Sequence, residues 1–249
     1  MSLAAAACSG RRDATRAYIM RLTCVTSLCA HSIFIANAGI SGGTGFSEDG
    51  LENQFATNCL GHHVLIQELL PNLRRAAAAG LDAPTAQRNA ESTRIVILTS
   101  GAHAWCSEAA LTDLAGAGSY SQLHLYGRSK LGNLYTARRL AQTFSAATER
   151  PEDRGITVAA VHPGGIASEL GRESAFFNKH VIPRIMWPVA PWGVVTLLWA
   201  ATAAKREEVH GQYLVPWCTR SVPSTIARNE KLQEHVWAWC EEQNAKLGR

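Results

Sequence analysis

Three short runs of uninterrupted apolar residues constrain the fold of this 249-residue chain more than any other feature. They are SIFIA at Ser32–Ala36, RIVILT at Arg94–Thr99 and ITVAAV at Ile156–Val161. Continuous rather than alternating apolarity is typical of strands that are covered on both faces, as in parallel sheets. A fourth and weaker run, GQYLV at Gly211–Val215, extends the pattern. Together the runs predict four strands of one buried sheet.

Segments with helical spacing of apolar residues lie between these runs. Leu51–Arg75, Leu123–Thr148 and Lys231–Lys246 carry apolar side chains three and four residues apart, which predicts amphipathic helices. A further helix is predicted over residues 191–204, and at roughly 20 Å it is too short for a ~30 Å hydrocarbon core. Strands that alternate with helices predict a doubly wound, Rossmann-like parallel α/β sheet in a single domain over residues 1–249.

The composition excludes several function classes. Apolar residues make up 47% of the chain and charged residues 18%, so the chain can bury a core and is not disordered. The net charge of +4 is small and the arginines are scattered, which argues against nucleic-acid binding. The seven cysteines lack metal-site spacing, so we expect no metal and a reducing, cytoplasmic compartment. A weak alternative is a mitochondrial presequence, because arginines cluster between Arg11 and Arg21.

Polar residues follow the ends of the predicted strands. Asn37 follows the first, Ser100 the second and His162 the third. Ligands bind at the carboxyl ends of strands in open α/β sheets, so we expect these residues to meet at one edge. Tyr126 and Lys130 open the long helix after the second strand and, four residues apart, share one of its faces.

This set of residues suits acid–base chemistry on a carbonyl or an alcohol. A nearby ammonium favours a phenolate, so we expect Lys130 to lower the pKa of Tyr126 and make it a general acid or base near neutral pH. Ser100 can hydrogen-bond the substrate oxygen. No G-x-S-x-G elbow surrounds Ser100, so a hydrolase site with His103 is not expected.

The remaining candidates have ordinary interpretations. His62 and His63 lie mid-helix without partners at ligand spacing, so we expect packing or surface roles for them. The seven tryptophans are expected in the core and in a substrate pocket, and not in a platform that stacks nucleic-acid bases.

The order, context and spacing of these signals resemble the short-chain dehydrogenase/reductase family. The phrases ANAG, TNCLGHHVLIQELLP, RIVILTSGAH, YGRSKLGNL and VHPGGIASEL are similar to its retinol-dehydrogenase-like branch, which includes reductases of fungal natural-product pathways. The resemblance runs from about Ser32 to Tyr213. It implies an NAD(P)-dependent oxidoreductase, with NADP favoured over NAD, that interconverts a carbonyl and an alcohol on a small hydrophobic substrate in secondary metabolism.

The resemblance also implies a role for each residue of the motifs. Tyr126 would exchange a proton with the substrate, Lys130 would lower its pKa and hold the nicotinamide ribose, and Ser100 would position the substrate oxygen. Asn58 would anchor the water of a proton relay. The further cofactor contacts would be Asn37, Ile166 and Ser168. Residues 169–190 would form a lid over an apolar substrate pocket.

Few partners are expected beyond the cofactor. The chain should bind a small hydrophobic carbonyl or alcohol and no nucleic acid. Membrane contact is expected to be peripheral at most, through tryptophans such as Trp187 and Trp192. A homo-oligomer is compatible with the sequence and stays open.

The region before Asn37 departs from the family pattern. The family begins with a T-G-x-x-x-G-x-G turn whose amides hold the pyrophosphate, but Gly10 is the only glycine here before Gly39. The strands that normally precede this motif need on the order of 70–80 residues. We therefore expect residues 1–31 to be atypical, the first βαβ portion to be incomplete and the chain to be truncated at its N-terminus. Residues 74–93, rich in Ala and Arg, are expected to be a loop insertion.

Two functions in different classes follow from this departure. One is a working oxidoreductase. The other is a vestigial or binding protein, similar to a reductase, that keeps the catalytic residues without tight cofactor binding. We expect this chain to bind NADPH weakly or not at all.

Overall fold

The structure is a computed structural model that describes residues 33–42, 45–81, 93–116, 118–167, 170 and 186–247. Within them one sheet has five strands in the order β1-β2-β3-β4-β5. The first four strands are parallel and β5 is antiparallel to β4, so the predicted α/β class is confirmed. The strands are β1 (Ile33–Ala36), β2 (Thr93–Leu98), β3 (Ile156–Val161), β4 (Tyr213–Val215) and β5 (Thr219–Ser221).

Helices follow or precede each parallel strand. The longest helical region, α1, spans residues 53–81 and contains a π-helical turn near its start. The helices and turns are α1 (Asn53–Phe55, the π-turn Ala56–Leu60 and Gly61–Leu81), α2 (Gln122–Thr143), α3 (Pro151–Arg154), a π-turn (Val189–Gly193), α4 (Val195–Leu198, with the π-turn Trp199–Ala203), α5 (Arg206–Val209), α6 (Glu230–Leu247) and 3-10 turns at Gly101–Trp105, Glu108–Leu111 and Ile226–Arg228.

The two faces of the sheet are covered by different helices. Ile95 and Ile97 of β2 lie in the larger core with side chains from α1, α2 and α6. Val96, between them, lies in a smaller core with Ala200 and Ala204 from the region of α4. Successive side chains of a strand point to opposite faces, so both sets must be apolar when both faces are covered. This double burial explains why the strands are continuous apolar runs.

Part of the predicted loop insertion is helical. α1 continues to Leu81, so residues 74–81 belong to it. Ala77 is buried, and Arg74 holds the carboxylate of Asp153 at 2.7 Å. The prediction was wrong here because alanine and arginine favour helix intrinsically, although their apolar periodicity is weak. The rest of the insertion, 82–92, lies outside the described residues.

Several other bounds differ from the predictions. α2 ends at Thr143, with Phe144 as its C-cap, five residues before the predicted end. The helix predicted over 191–204 is present as three consecutive turns, the π-turn Val189–Gly193, α4 and the π-turn Trp199–Ala203, and Ala190 before its predicted start has non-helical backbone angles. Among the residues that the structure describes, no helix is both long and apolar enough to cross a membrane.

The strand β1 forms one edge of the sheet within the described residues. It pairs with β2 on one side, and no described residue pairs with its other side. Ile33 is 47% exposed, while Ala36 at the other end is buried. Residues 1–31, which the sequence predicted to be atypical, lie outside the described residues, as does most of the predicted lid over 169–190.

Candidate active site

Polar residues meet at the carboxyl edge of the sheet. The register pairs Ala36 of β1 with Ile97 of β2, and Leu98 with Val161 of β3. Asn37, Ser100 and His162 follow these strand ends, so the parallel pairing brings the three loops to one edge. Asn37 is exposed there, and Ser100 caps the first 3-10 turn by accepting from the Ala102 amide at 3.2 Å. The edge predicted from the sequence is the edge that these loops form.

The helix α2 carries Tyr126 and Lys130 to this edge. Gly127 makes the approach possible, because a Cβ there would lie 2.5 Å from the Ala102 carbonyl oxygen. The close packing brings the Tyr126 hydroxyl near enough to the Ser100 side chain for Ser100 to favour the phenolate. The Lys130 ammonium lies 5.6 Å from the centroid of the Tyr126 ring and donates to the Leu98 carbonyl at 3.3 Å.

Burial dominates the electrostatics of this pair. Burial raises the pKa of Tyr126 to about 12, against the opposing effect of the Ser100 hydrogen bond. Burial also lowers the pKa of Lys130 to about 8, against a smaller opposing effect of Cys59. The expected lowering of the Tyr126 pKa by Lys130 was therefore wrong, because the charge argument neglected the loss of solvation. At neutral pH Tyr126 is a protonated phenol, which suits a proton donor.

Asn58 lies in the π-helical turn of α1 and is fully buried. Its side-chain oxygen accepts from the Ile40 amide at 2.8 Å, and its amide nitrogen donates to the Ile40 carbonyl at 2.9 Å. The second amide hydrogen goes to the Ser129 hydroxyl at 2.9 Å, and this hydroxyl donates to the Tyr126 carbonyl at 2.8 Å. Asn58 therefore ties the loop after β1 to the helix that carries Tyr126 and Lys130.

A glycine keeps the space beside Lys130 open. A Cβ on Gly39 would lie 3.3 Å from Oδ1 of Asn58 and 3.5 Å from Nζ of Lys130. A larger residue here would fill the volume between the loop after β1 and the Lys130 ammonium. Gly39, the exposed Asn37 and the Lys130 ammonium together form a polar cradle at this edge. The described residues contain no Gly-rich turn with the spacing that a pyrophosphate requires.

The loop after β3 carries the remaining predicted cofactor residues. Ile166 forms a short parallel bridge with Trp187, in which the Ala167 amide donates to the Trp187 carbonyl at 2.8 Å. This bridge returns the chain to the site after the undescribed part of the predicted lid. Ser168 lies outside the described residues.

Three tryptophans, Trp187, Trp192 and Trp217, form an aromatic cluster beside Ile166, which we call the rim. Their ring centroids are 5.1–6.0 Å apart in edge-on contacts. All three are between 42% and 51% exposed. A Cβ on Gly193 would lie 2.9 Å from Ile166, so the rim packs closely on the loop after β3.

A buried ion pair that the sequence did not indicate supports the site. Arg128, between Tyr126 and Lys130, lies 3.1 Å from the carboxylate of Glu52, and both side chains are fully buried. Glu52 also caps the start of α1 by accepting from the Phe55 amide at 2.9 Å. The available signal was a charged residue between Tyr126 and Lys130, on a different face of α2, but its partner is distant in the sequence.

His103 is engaged away from the Ser100 hydroxyl. Its Nδ1 lies 2.7 Å from the Ser100 carbonyl oxygen, and its Nε2 accepts from the Ser224 amide at 3.2 Å. Neither ring nitrogen is free to activate the hydroxyl, so the site has no Ser–His pair. Among the described residues, no group of three His, Cys, Asp or Glu side chains could hold a metal ion.

The sheet and the residues at its carboxyl edge define the class of Rossmann-like α/β proteins. Solved structures share this fold, including the NADP active-site complex of RhlG from Pseudomonas aeruginosa (TM-score 0.53, 21% identity, 83% of this chain and 72% of that one). A second is the 3-ketoacyl-(acyl-carrier-protein) reductase from Brucella melitensis complexed with NADH (TM-score 0.52, 14% identity, 83% and 73%).

Curated relatives identify the family within this class. The chain is 31% identical to the short-chain dehydrogenase/reductase drtF of Aspergillus calidoustus, over 85% of this chain and 68% of that protein. It is 34% identical to retinol dehydrogenase 12 of Mus musculus, over 76% of this chain and 53% of that protein. No family model matches the chain. The chain belongs to the short-chain dehydrogenase/reductase family, and it spans about half to two thirds of the length of these two relatives.

Proposed function

We propose that the protein is an NAD(P)-dependent oxidoreductase that interconverts a carbonyl and an alcohol on a small hydrophobic substrate. The observation that carries the proposal is that Tyr126 lies next to Ser100 and Lys130 at the carboxyl ends of the strands. A phenol, a hydroxyl and an ammonium in this arrangement provide a proton donor and a binding site for a carbonyl oxygen.

Each residue has a defined task in the reduction. The Ser100 hydroxyl donates a hydrogen bond to the carbonyl oxygen and orients it towards Tyr126. Tyr126 donates its phenolic proton to that oxygen, and the Lys130 ammonium stabilises the phenolate that remains. When bound, the nicotinamide cofactor supplies the hydride that reduces the carbonyl carbon. Asn58 keeps these groups in place through Ser129 and Ile40.

The cradle beside Gly39 supports a nicotinamide at this position. Asn37, Tyr126, Lys130 and Ile166 would contact it, together with Ser168. We propose NADP ahead of NAD on the strength of the family branch. The solved structures with the same fold include complexes with either cofactor, so both belong in the test.

The rim supports a hydrophobic substrate. Three exposed tryptophans beside Ile166 provide apolar surface at the entrance, and such surface binds apolar ligands. We propose a place in secondary metabolism on the resemblance to the family branch that includes reductases of natural-product pathways. Membrane contact at the rim is proposed to be peripheral at most, and a homo-oligomer is compatible with the site.

We also propose a cytoplasmic location. The described cysteines Cys59, Cys106, Cys218 and Cys240 are free thiols, and three of them are buried. Free buried thiols are typical of proteins from reducing compartments.

The direct test is a titration of the full chain with NADPH and with NADH, followed by turnover with a panel of hydrophobic ketones and aldehydes. We expect consumption of the reduced cofactor with at least one substrate, and its loss in the Tyr126→Phe variant. Binding without turnover of any carbonyl would contradict the proposal.

A second function is favoured by one observation, the absence of a Gly-rich turn before Gly39 in the sequence. Without such a turn the pyrophosphate lacks its usual amide donors. On this alternative the chain is a vestigial or binding protein, similar to a reductase, and it binds NADPH weakly or not at all. Micromolar affinity for NADPH in the same titration would overturn it.

A further inference from the structure

The buried region behind Lys130 contains polar atoms that the chain itself leaves unsatisfied. Both ring nitrogens of His62 and Oδ1 of Asn133 have no hydrogen-bond partner among the described residues. His62 is 5% exposed and Asn133 is 1% exposed, so bulk water does not reach them. Buried polar atoms in native proteins nearly always have a partner, which is often an ordered water.

Asn133 lies beside the Lys130 ammonium. Nζ of Lys130 and Nδ2 of Asn133 donate to the same acceptor, the Leu98 carbonyl, at 3.3 Å and 2.9 Å. The two side chains therefore lie next to each other. His62 is close enough that the charge of Lys130 contributes to lowering the pKa of its ring to about 4, after the larger effect of burial. The Asn133 side chain and the Asn58 backbone make weaker polar contacts with the ring that fall short of hydrogen-bond geometry.

We propose that the His62 ring and the Asn133 side-chain oxygen bind one water molecule that hydrates the Lys130 ammonium. The water would donate to one nitrogen of neutral His62 and to Oδ1 of Asn133, and it would accept from Nζ of Lys130. These three bonds are the usual number for a buried water. The other ring nitrogen carries the hydrogen and faces the backbone of Asn58.

His62 is then a positioning residue that acts through Lys130. Hydration of an ammonium favours its charged form, so the water opposes the desolvation that lowers the pKa of Lys130. The other titratable groups that act on this site are Cys59 on α1 and Tyr126 on α2, while β2 contributes only the Leu98 carbonyl. The consequence for catalysis rests on the proposed function, because Lys130 stabilises the Tyr126 phenolate only while it is charged.

The test measures the pKa of Lys130 directly by NMR of the lysine side chains, of which the full chain has five. We expect His62→Leu to lower this pKa by about one unit, because the water loses its anchor. His62→Gln keeps a polar partner and should leave the value near that of the wild type. The matched control is His63→Leu, whose ring contacts Glu241 at 2.8 Å and not this site, so the pKa should not change.

A second measurement does not depend on any variant. A high-resolution crystal structure of the unaltered chain should show water density within hydrogen-bond distance of both the His62 ring and Oδ1 of Asn133. A dry site, or an unchanged Lys130 pKa in His62→Leu, would overturn the inference. Both measurements need neither cofactor nor substrate, so an inactive chain would count against the proposed function and leave this inference intact.

Discussion

The site has an inner wall and a rim that are built on opposite principles. The inner wall consists of Asn58, Tyr126, Ser129 and Lys130, which are all less than a tenth exposed. Hydrogen bonds join Asn58, Ser129 and Tyr126, and Lys130 donates to the Leu98 carbonyl. The rim consists of three tryptophans that are about half exposed and touch one another through their ring edges. Polar atoms are held in place at the wall, while apolar area is exposed at the rim.

The difference teaches where this chain can tolerate change. A buried polar group that loses its partner bears the full cost of desolvation, about 1–3 kcal/mol, so the wall must be satisfied as a unit. The contacts of the rim are non-directional, and a lost ring removes only apolar area and weak ring contacts. Changes at the wall should therefore affect chemistry and folding, and changes at the rim should affect which substrates bind.

The largest effect is expected from Tyr126→Phe. Removal of the phenolic proton donor should lower kcat for carbonyl reduction by about 10²–10⁴-fold, the usual contribution of general acid catalysis. The measurement is single-turnover oxidation of the reduced cofactor. The matched control is Tyr135→Phe in the same helix, whose hydroxyl donates to the Ile226 carbonyl at 2.7 Å, away from the site. The two variants should separate cleanly, and equal loss of activity in both would contradict the role of Tyr126.

The next effect concerns the buried ion pair of Glu52 and Arg128, which supports the wall. Glu52→Gln leaves the fully buried Arg128 without its counter-charge, and the free energy of unfolding should fall by about 3–5 kcal/mol. Urea unfolding followed by circular dichroism measures the change. Glu242→Gln breaks an exposed ion pair with Lys246 and should cost less than about 0.5 kcal/mol. Similar losses in both variants would show that burial is not the cause.

The pH dependence gives a smaller effect with a definite sign. The pKa of Lys130 is lowered to about 8 in the folded chain, so its charge is lost as pH rises above 8. kcat/KM for reduction should then fall, by about tenfold for each further pH unit. The contribution of Lys130 to stability should move the other way, because between pH 8 and 10.5 the unfolded chain binds more protons at Lys130 than the folded chain does. Parallel loss of activity and stability in this range would point to unfolding as the cause.

The sequence correctly predicted those secondary-structure elements whose position depends on one local pattern of residues. β3 has the bounds expected from its apolar run, because both faces of that strand are covered. β5 was missed since its three residues are exposed and carry no apolar signal. Asn37, Ser100 and His162 follow strand ends, so their meeting point could be predicted from topology alone.

Effects of burial and distant pairing could not be predicted in the same way. The pKa of Tyr126 depends on how much solvent the surrounding elements exclude, and the spacing to Lys130 contains no information on that. The pairing of Glu52 with Arg128 joins residues that are 76 positions apart. That the two ring nitrogens of His62 have no hydrogen-bond partner can be recognised only when the packing of α1 against α2 is known. Polar contacts between helices and strands that are distant in the sequence could therefore be identified only from the structure.

The smallest effect is expected at the rim, and it completes the contrast with the wall. Trp192→Ala removes ring contacts with Trp187 and Trp217, each worth about 0.5–1.5 kcal/mol. A bound apolar substrate would lose part of this contact energy, because the variant offers it less ring surface. KM for a bulky hydrophobic ketone should therefore rise by roughly 2- to 10-fold. kcat should stay unchanged, because no rim residue contacts the proton donor. Val222→Ala, at an exposed residue outside the rim, is the control. A fall in kcat with constant KM would mean that the rim acts on the chemistry itself and that the wall and the rim are one unit.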